Sequence, residues 1–401
     1  MPMYQYRGRS REGNEKTGKI KANTEREARE ALKRKGIAIF ELNHLDSLLY
    51  KEITLFQRIK SKELVVFLRQ FSTLLKAGIS LVNSIQLLAE QSTNKLLKQT
   101  LLEVEEEIRE GVSFSEAAEK HRKVFPPLFT NMVKAGEAGG NMDEVLERLA
   151  DYYEKQHRTK QKVISAISYP TVVGIVSIGV VIFLLSVVVP TFAGMFTSFG
   201  ADLPPLTAFV LSAGNFMQRF FWLFFLINGL VAGGIWYAKQ NKKYKYYLDY
   251  ALIKLPIFGP VLQKAAIARM SRTWSSLFET SVPVLQATSI VEKVVGNEVL
   301  AKVIRDARKS LERGESIASP MEEHWFFPPL VTQMVVVGEK TGSLDQMLGK
   351  IADFYEAEVD EATERLKTML EPILIVVLAA VVGVIVAAIA IPMFEIFDTI
   401  G

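Results

Sequence analysis

The sequence predicts an all-α integral membrane protein: two homologous cytoplasmic six-helix bundles, three transmembrane helices and a small N-terminal ββαβ appendage. Three observations carry this. Three apolar stretches without charge each reach the ~20 residues needed to cross a bilayer. The chain repeats itself at an offset of 203 residues, falling to 202 after one deletion. Within each repeat, apolar residues recur at three- and four-residue intervals, which marks amphipathic helices.

Composition agrees. The chain has 401 residues, 49% hydrophobic and 23% charged. Its mean hydropathy of +0.16 lies between that of a soluble protein and a multi-span transporter, as expected for charged domains joined to a few spans. A net charge of +4 is too small to argue for nucleic-acid binding. The absence of cysteine excludes disulfides, thiolate-ligated zinc, Fe–S clusters and thiol catalysis.

Taken in order, residues 1–50 form a basic α+β appendage. Residues 3–7 alternate as a strand, Gly13 and Gly18 mark turns, and residues 17–22 suit a second strand. Thr24, with Glu27 three residues on, opens a helix to about Lys35, and residues 37–42 suit a third strand. No apolar signal segment occurs in residues 1–35. Residues 51–62 read as a linker. Residues 1–62 hold 15 Lys+Arg against 8 Asp+Glu, so the basic excess concentrates here.

Residues 63–165 form the first helical domain. Leu64, Phe67, Leu68, Phe71, Leu74 and Leu75 make one apolar stripe, and breaks at Gly78, Gly111, Pro126-Pro127 and Gly139-Gly140 divide the domain into about six short helices. Spans follow at 168–190, 219–238 and 371–394, with an external loop at 191–218, the second helical domain at 239–370 and an external tail at 395–401. Lysines and Arg158 precede the first span and lysines follow the second. The positive-inside rule therefore puts both helical domains and the N-terminus in the cytoplasm and the C-terminus outside. Apart from Arg219 and Glu371 at their first positions, the spans contain no Asp, Glu, His, Lys or Arg, which argues against an ion-coupled transporter. Their small residues favour close helix packing and self-association.

No catalytic pattern is present: no phosphate-binding loop, no Gly-x-Gly-x-x-Gly, and four His without ligand spacing. No metal site is identifiable, and a divalent cation between helices stays open without assigned ligands. The strongest repeated polar motif is Gly-Glu-x-x-Gly-x-x-Asp, carrying Glu137, Gly140 and Asp143 in the first repeat and Glu339, Gly342 and Asp345 in the second. A helix–turn–helix corner explains the glycines and, through capping boxes at Asn141/Glu144 and Ser343/Gln346, the helix starts. The glutamates fit less well, because a carboxylate near a helix C-terminus opposes the dipole. The motif residues Glu137, Gly140, Asp143, Glu339, Gly342 and Asp345, together with Glu371 at a membrane edge, are therefore inter-domain or partner-contact candidates. Pro170, Pro190, Pro372 and Pro392 pair across the repeat at the membrane edges.

The duplicated corner, the Phe125-Pro126-Pro127 and Phe327-Pro328-Pro329 turns, the Tyr169-Pro170 and Glu371-Pro372 span starts and the Tyr4-x-Tyr6-Arg7-Gly8 stretch resemble the bacterial type II secretion system protein F family. Its members are inner-membrane platform proteins of type II secretion, type IV pili and competence pseudopili. The likeness covers essentially the whole chain and is strongest to the pilus members. It implies an all-helical, non-enzymatic platform that docks a cytoplasmic hexameric assembly ATPase. It also implies pilins or pseudopilins, inner-membrane alignment-complex proteins and further copies of itself as partners. Some members are thought to bind a divalent ion, whose ligands do not map onto this sequence. On this reading Arg26, Arg29, Lys33 and Arg34 of the basic appendage are the ATPase-contact candidates. The alternatives are a membrane scaffold or signalling protein unrelated to filaments and, less well supported, a transporter.

Overall fold

The computed structural model describes residues 3–10, 15–21, 29, 32–33, 37–44, 59–198 and 203–400. The chain divides into two compact units, Met1–Arg58 and Ile59–Gly401. In the first, strands β1 (Met3–Ser10), β2 (Glu15–Lys21) and β3 (Ile37–His44) form an antiparallel sheet of order β2-β1-β3. The central β1 pairs Tyr4 with Ile20 on one side and with His44 on the other, and a register shift at Arg7/Gly8 bends its pairing with β3. Of the helix expected over 24–35, Arg29, Leu32 and Lys33 are helical; its other residues, Arg26 and Arg34 among them, lie outside the described residues, as does most of the linker at 51–62.

Among its described residues, all the regular secondary structure of the second unit is helical. Its first repeat holds α1 (Ser61–Lys76), α2 (Leu81–Gln91), α3 (Lys95–Arg109), α4 (Phe114–Glu119), α5 (Pro127–Gly139) and α6 (Met142–Phe183). Five helices are short, as the breaks predict. The sixth runs on through a π-turn at Leu184–Val188 into α7 (Val189–Ser198), giving an unbroken helix about 85 Å long at 1.5 Å per residue. After α8 (Pro205–Arg219), α9 (Phe221–Gln240) and α10 (Lys242–Lys254), the second repeat follows the same plan: α11 (Gly259–Glu279), α12 (Val284–Val294), α13 (Glu298–Glu312), α14 (Ser319–Glu322), α15 (Pro329–Thr341) and α16 (Leu344–Ile400).

The repeat is visible in the caps. Asn94 and Asn297 each accept backbone N–H groups at the starts of α3 and α13. In the first bundle Phe71, Phe114, Phe125 and Phe129 are fully buried and meet edge-to-face or stacked, each contributing about 1.5–3 kcal/mol by burial. Trp274 occupies the position of Phe71 in the second bundle and is equally buried. The two cores are continuous: one cluster of buried side chains runs from Leu64 to Tyr355.

Two helices, Met142–Ser198 and Leu344–Phe394, are long and apolar enough to cross a membrane. The bent pair Lys242–Lys254 and Gly259–Glu279 also has the composition, but most of α11 is buried in the second bundle, where we assign it. The 20-residue α9 has no buried side chain among its described residues.

Among the described residues of the external loop expected at 191–218, α7 continues to Ser198 and α8 covers Pro205 onward to Arg219. α8 packs against the spans, and Val189, Val210, Ile385 and Ala388 form a second small core. The expected tail at 395–401 continues α16 to Ile400. Their apolar composition gave no helical period distinct from that of the spans.

Candidate functional site

Three constellations stand out, all built from equivalent residues of the two repeats. The first is the glycine–glutamate corner. Gly140 (φ 69°) and Gly342 (φ 70°) end α5 and α15 in the left-handed region, which disfavours a Cβ by roughly 1–2 kcal/mol. The turns are tightened where Asn141 and Ser343 donate backbone N–H groups to the carbonyls of Gly136 and Gly338. Those last two glycines permit close approach: a Cβ on Gly136 would lie 2.9 Å from Val145 Cγ2, and one on Gly338 2.9 Å from the backbone Cα of Leu344.

The glutamates serve a different helix from their own. Glu137 Oε1 accepts the backbone N–H of Phe114 at 2.6 Å and of Ser115 at 3.2 Å, at the start of α4. Glu339 Oε1 accepts the backbone N–H of Ile317 at 2.7 Å, and its other oxygen accepts from Ser316 Oγ, just before α14. The carboxylate that opposes the dipole of α5 thus meets the positive end of α4. These contacts lie within each repeat, where the sequence placed an inter-domain or partner contact. Asp143 and Asp345 occupy the first turns of α6 and α16, where negative charge is favoured. The capping boxes do not form as expected. Asn141 caps no backbone N–H and instead donates to Glu144 at 3.4 Å, and Ser343 Oγ lies 2.6 Å from Thr341 Oγ1.

The second constellation is the seam between the bundles. Arg69 on α1 binds Asp151, at 2.6 Å, and Glu154 on α6. Its counterpart Arg272 on α11 binds Asp353 and, at 2.9 Å, Glu356 on α16. Lys155 of the first repeat then reaches Asp353 at 3.0 Å, and seven residues further along Lys162 reaches Asp360. Equal steps of seven on both partners mean that α6 and α16 run parallel. Arg148 adds a pair with Glu279. At the centre, Thr273 Oγ1 spends its proton on the Arg269 carbonyl, so the buried Tyr152 hydroxyl donates to Thr273 at 3.0 Å. Burial would raise the Asp353 carboxyl pKa, but hydrogen bonds from Arg272 and Lys155 outweigh it and hold it below the ordinary range.

The third lies in the apolar layer. All four prolines sit inside helices rather than at their ends. A helical proline leaves the carbonyl four residues earlier without its donor. For Pro190 that carbonyl belongs to Ser186, within the π-turn, and Gln218 Nε2 of α8 donates to it at 3.4 Å. For Pro392 it belongs to Ala388, and buried Thr207 Oγ1 of α8 donates to it at 2.6 Å. A Cβ on Gly214 would lie 2.7 Å from the Leu185 carbonyl, so glycine lets α8 come this close. α8 therefore joins the two equivalent proline sites. Pro170 and Pro372 begin the apolar halves of their helices, with Glu371 exposed beside Pro372.

Arg29 and Lys33 are exposed on the N-terminal unit. Among the described residues, no three His, Asp or Glu side chains gather as a metal site. Of the side chains that matter here, the sequence does not single out Arg69 and Arg272, which lie one repeat of 203 residues apart, or Thr207 and Gln218, which have no repeat partner to draw the eye.

The family described as Type II secretion system (T2SS), protein F matches residues 67–190 and again 270–392, and its N-terminal domain matches residues 1–43. The type IV pilus assembly protein PilC of Thermus thermophilus is 36% identical over 408 residues, covering 100% of both chains. PilC of Myxococcus xanthus is 36% identical over 98% of this chain and 95% of its own. The type II secretion system protein F of Aeromonas hydrophila is 31% identical over 94% of this chain and 98% of its own.

Proposed function

The chain belongs to the type II secretion system protein F family, and from that premise we propose that it is the inner-membrane platform of a type IV filament assembly machine. It couples a cytoplasmic hexameric ATPase to the extraction and polymerisation of pilin or pseudopilin subunits, and has no catalytic step of its own. The observation that carries this reading is the parallel pairing of α6 and α16 by Lys155–Asp353 and Lys162–Asp360. Two bundles with one continuous core are joined rigidly, and each sends a single helix into the membrane in the same direction. A push on the bundles is transmitted along both helices to the apolar layer, where α8 ties them together through Gln218 and Thr207.

Parallel spans require the chain to return between them. α9 has the length for this, about 30 Å, and aromatic Trp222 and Trp236 near its ends. We therefore read three spans, with the bundles and N-terminus cytoplasmic and the C-terminus outside. We read the N-terminal unit as a ββαβ module whose basic residues Arg26, Arg29, Lys33 and Arg34 meet an acidic surface of the ATPase.

The test is co-purification of the detergent-solubilised full chain with the assembly ATPase and the pilin. Both are retained by the unaltered chain. Reversing Arg26, Arg29, Lys33 and Arg34 to Glu reduces ATPase retention and leaves pilin retention unchanged. Failure of the unaltered chain to retain either partner contradicts the platform reading; an unchanged reversal variant contradicts the assigned contact.

A further inference from the structure

A charged cleft not used above lies where α9 meets α10. It has a volume of about 310 Å³, with Lys242, Lys243, Tyr246 and Tyr247 of α10 on one wall and Glu298, Lys302 and Arg305 of α13 on the other. Its charge is unbalanced. Arg305 is neutralised by Glu292 at 2.8 Å and Glu298 at 3.1 Å. Lys242, Lys243 and Lys302 have no carboxylate within ion-pair distance among the described residues, and all three are exposed. Lys302 Nζ lies 5.5 Å from the centre of the Tyr246 ring. Asn241, the single residue between α9 and α10, accepts the backbone N–H of Lys243 and thereby fixes the start of α10.

The same helix turns aromatic side chains outward: Tyr247 is 61% exposed and Tyr244 49%. They are three residues apart and so share a face. A short helix with lysines and outward tyrosines, directly continuous with an apolar helix, has the make-up of an interfacial element. Tyrosine rings settle at headgroup depth and lysines meet phosphate. The charge complementarity and this continuity select the occupant.

We propose that the cleft between α10 and α13 binds the phosphodiester headgroup of an anionic phospholipid from the cytoplasmic leaflet. Lys242, Lys243 and Lys302 hold the phosphate, Tyr246 walls the site, and Tyr244 and Tyr247 rest among neighbouring headgroups. The site anchors the second bundle to the bilayer at the point where α9 re-enters the cytoplasm. This rests on the reading of α9 as the returning span.

The experiment uses the full chain released from mixed micelles of phosphatidylglycerol and phosphatidylcholine, with retained lipids counted by native mass spectrometry. Near a charged surface each basic residue changes affinity about fivefold. The unaltered chain retains phosphatidylglycerol in preference to phosphatidylcholine. The triple variant K242Q/K243Q/K302Q loses at least about tenfold of that preference, and K242R/K243R/K302R keeps it. Equal retention by the Gln variant, or loss in the Arg variant as well, overturns the proposal. So does displacement of the lipid by millimolar inorganic phosphate, which would show a free-anion site, or loss of a protein partner by the Gln variant without any change in lipid. A single Gln240→Cys in this cysteine-free chain separates the premise from the proposal. Labelling by an impermeant maleimide from outside intact cells removes the topology and the site with it, whereas protection together with no lipid preference removes the site alone.

Discussion

Replacing Glu137 with Ala removes an acceptor for two backbone N–H groups at the first turn of α4. Hydrogen bonds to a charged group contribute about 1.5–3 kcal/mol each, and the helix dipole adds ~0.3–1 kcal/mol. α4 is only six residues long and its start is partly open to water, which recovers some of that loss. We expect Glu137→Ala to destabilise the first bundle by about 2–3 kcal/mol, and Glu137→Gln, which keeps an acceptor oxygen, by about 1 kcal/mol. For a region of this size the Ala change lowers the apparent Tm of the detergent-solubilised chain by about 5–10 °C. Glu339→Ala, which frees the Ile317 N–H and Ser316 hydroxyl, has a similar effect. The assay is thermal unfolding in parallel with ATPase co-purification. An unchanged Tm together with lost ATPase binding would refute the intramolecular role and return Glu137 to a partner contact.

Four further outcomes follow from the geometry. Gly338→Ala destabilises more than Gly136→Ala, because its new Cβ meets backbone rather than the end of a side chain; equal unfolding midpoints contradict this. Ser281, at φ 57°, stands where the first repeat has Gly78, so Ser281→Gly raises stability by about 1 kcal/mol, read as a higher Tm. Thr207→Val returns the Ala388 carbonyl to the unsatisfied state that Pro392 creates and costs about 1–3 kcal/mol, visible as faster proteolysis between α8 and α16. Hydrogen bonds from Arg272 and Lys155 outweigh burial and hold the Asp353 carboxyl below the ordinary carboxylate range, so its contribution to the seam is present at neutral pH and is lost only as pH falls below that range. Hydrogen exchange at α6 and α16 should therefore rise in acid, and Asp353→Asn should remove that component.

Much of this architecture is legible in the chain. Leu64, Phe67, Leu68 and Phe71 declare the buried face of α1 through their spacing, and all four are buried. The repeat is legible because glycine is required at Gly140 and Gly342 by a backbone shape that few other residues adopt. What the sequence does not reveal is which groups meet across the repeats. Glu137 reads as misplaced on its own helix because its partner, the start of α4, is 22 residues away in sequence and adjacent only in the fold. Gln218 and Thr207 look like ordinary polar residues of a loop. They gain meaning only when the carbonyls freed by Pro190 and Pro392 are placed opposite them. Pro190 and Pro392, placed by the sequence at the membrane edges, lie inside helices that continue past them, because a π-turn and the donors on α8 absorb the missing bonds.

The central claim is that this chain is the membrane platform on which filament subunits are assembled. Counting surface filaments in a strain deleted for the chain, with ATPase and pilin levels held at those of the parent, tests it most directly. The account predicts no filaments after deletion and recovery on restoring the unaltered chain. Recovery should be poor when Lys155→Glu and Lys162→Glu break the pairing of α6 with α16. Normal filament numbers in the deletion strain would contradict it.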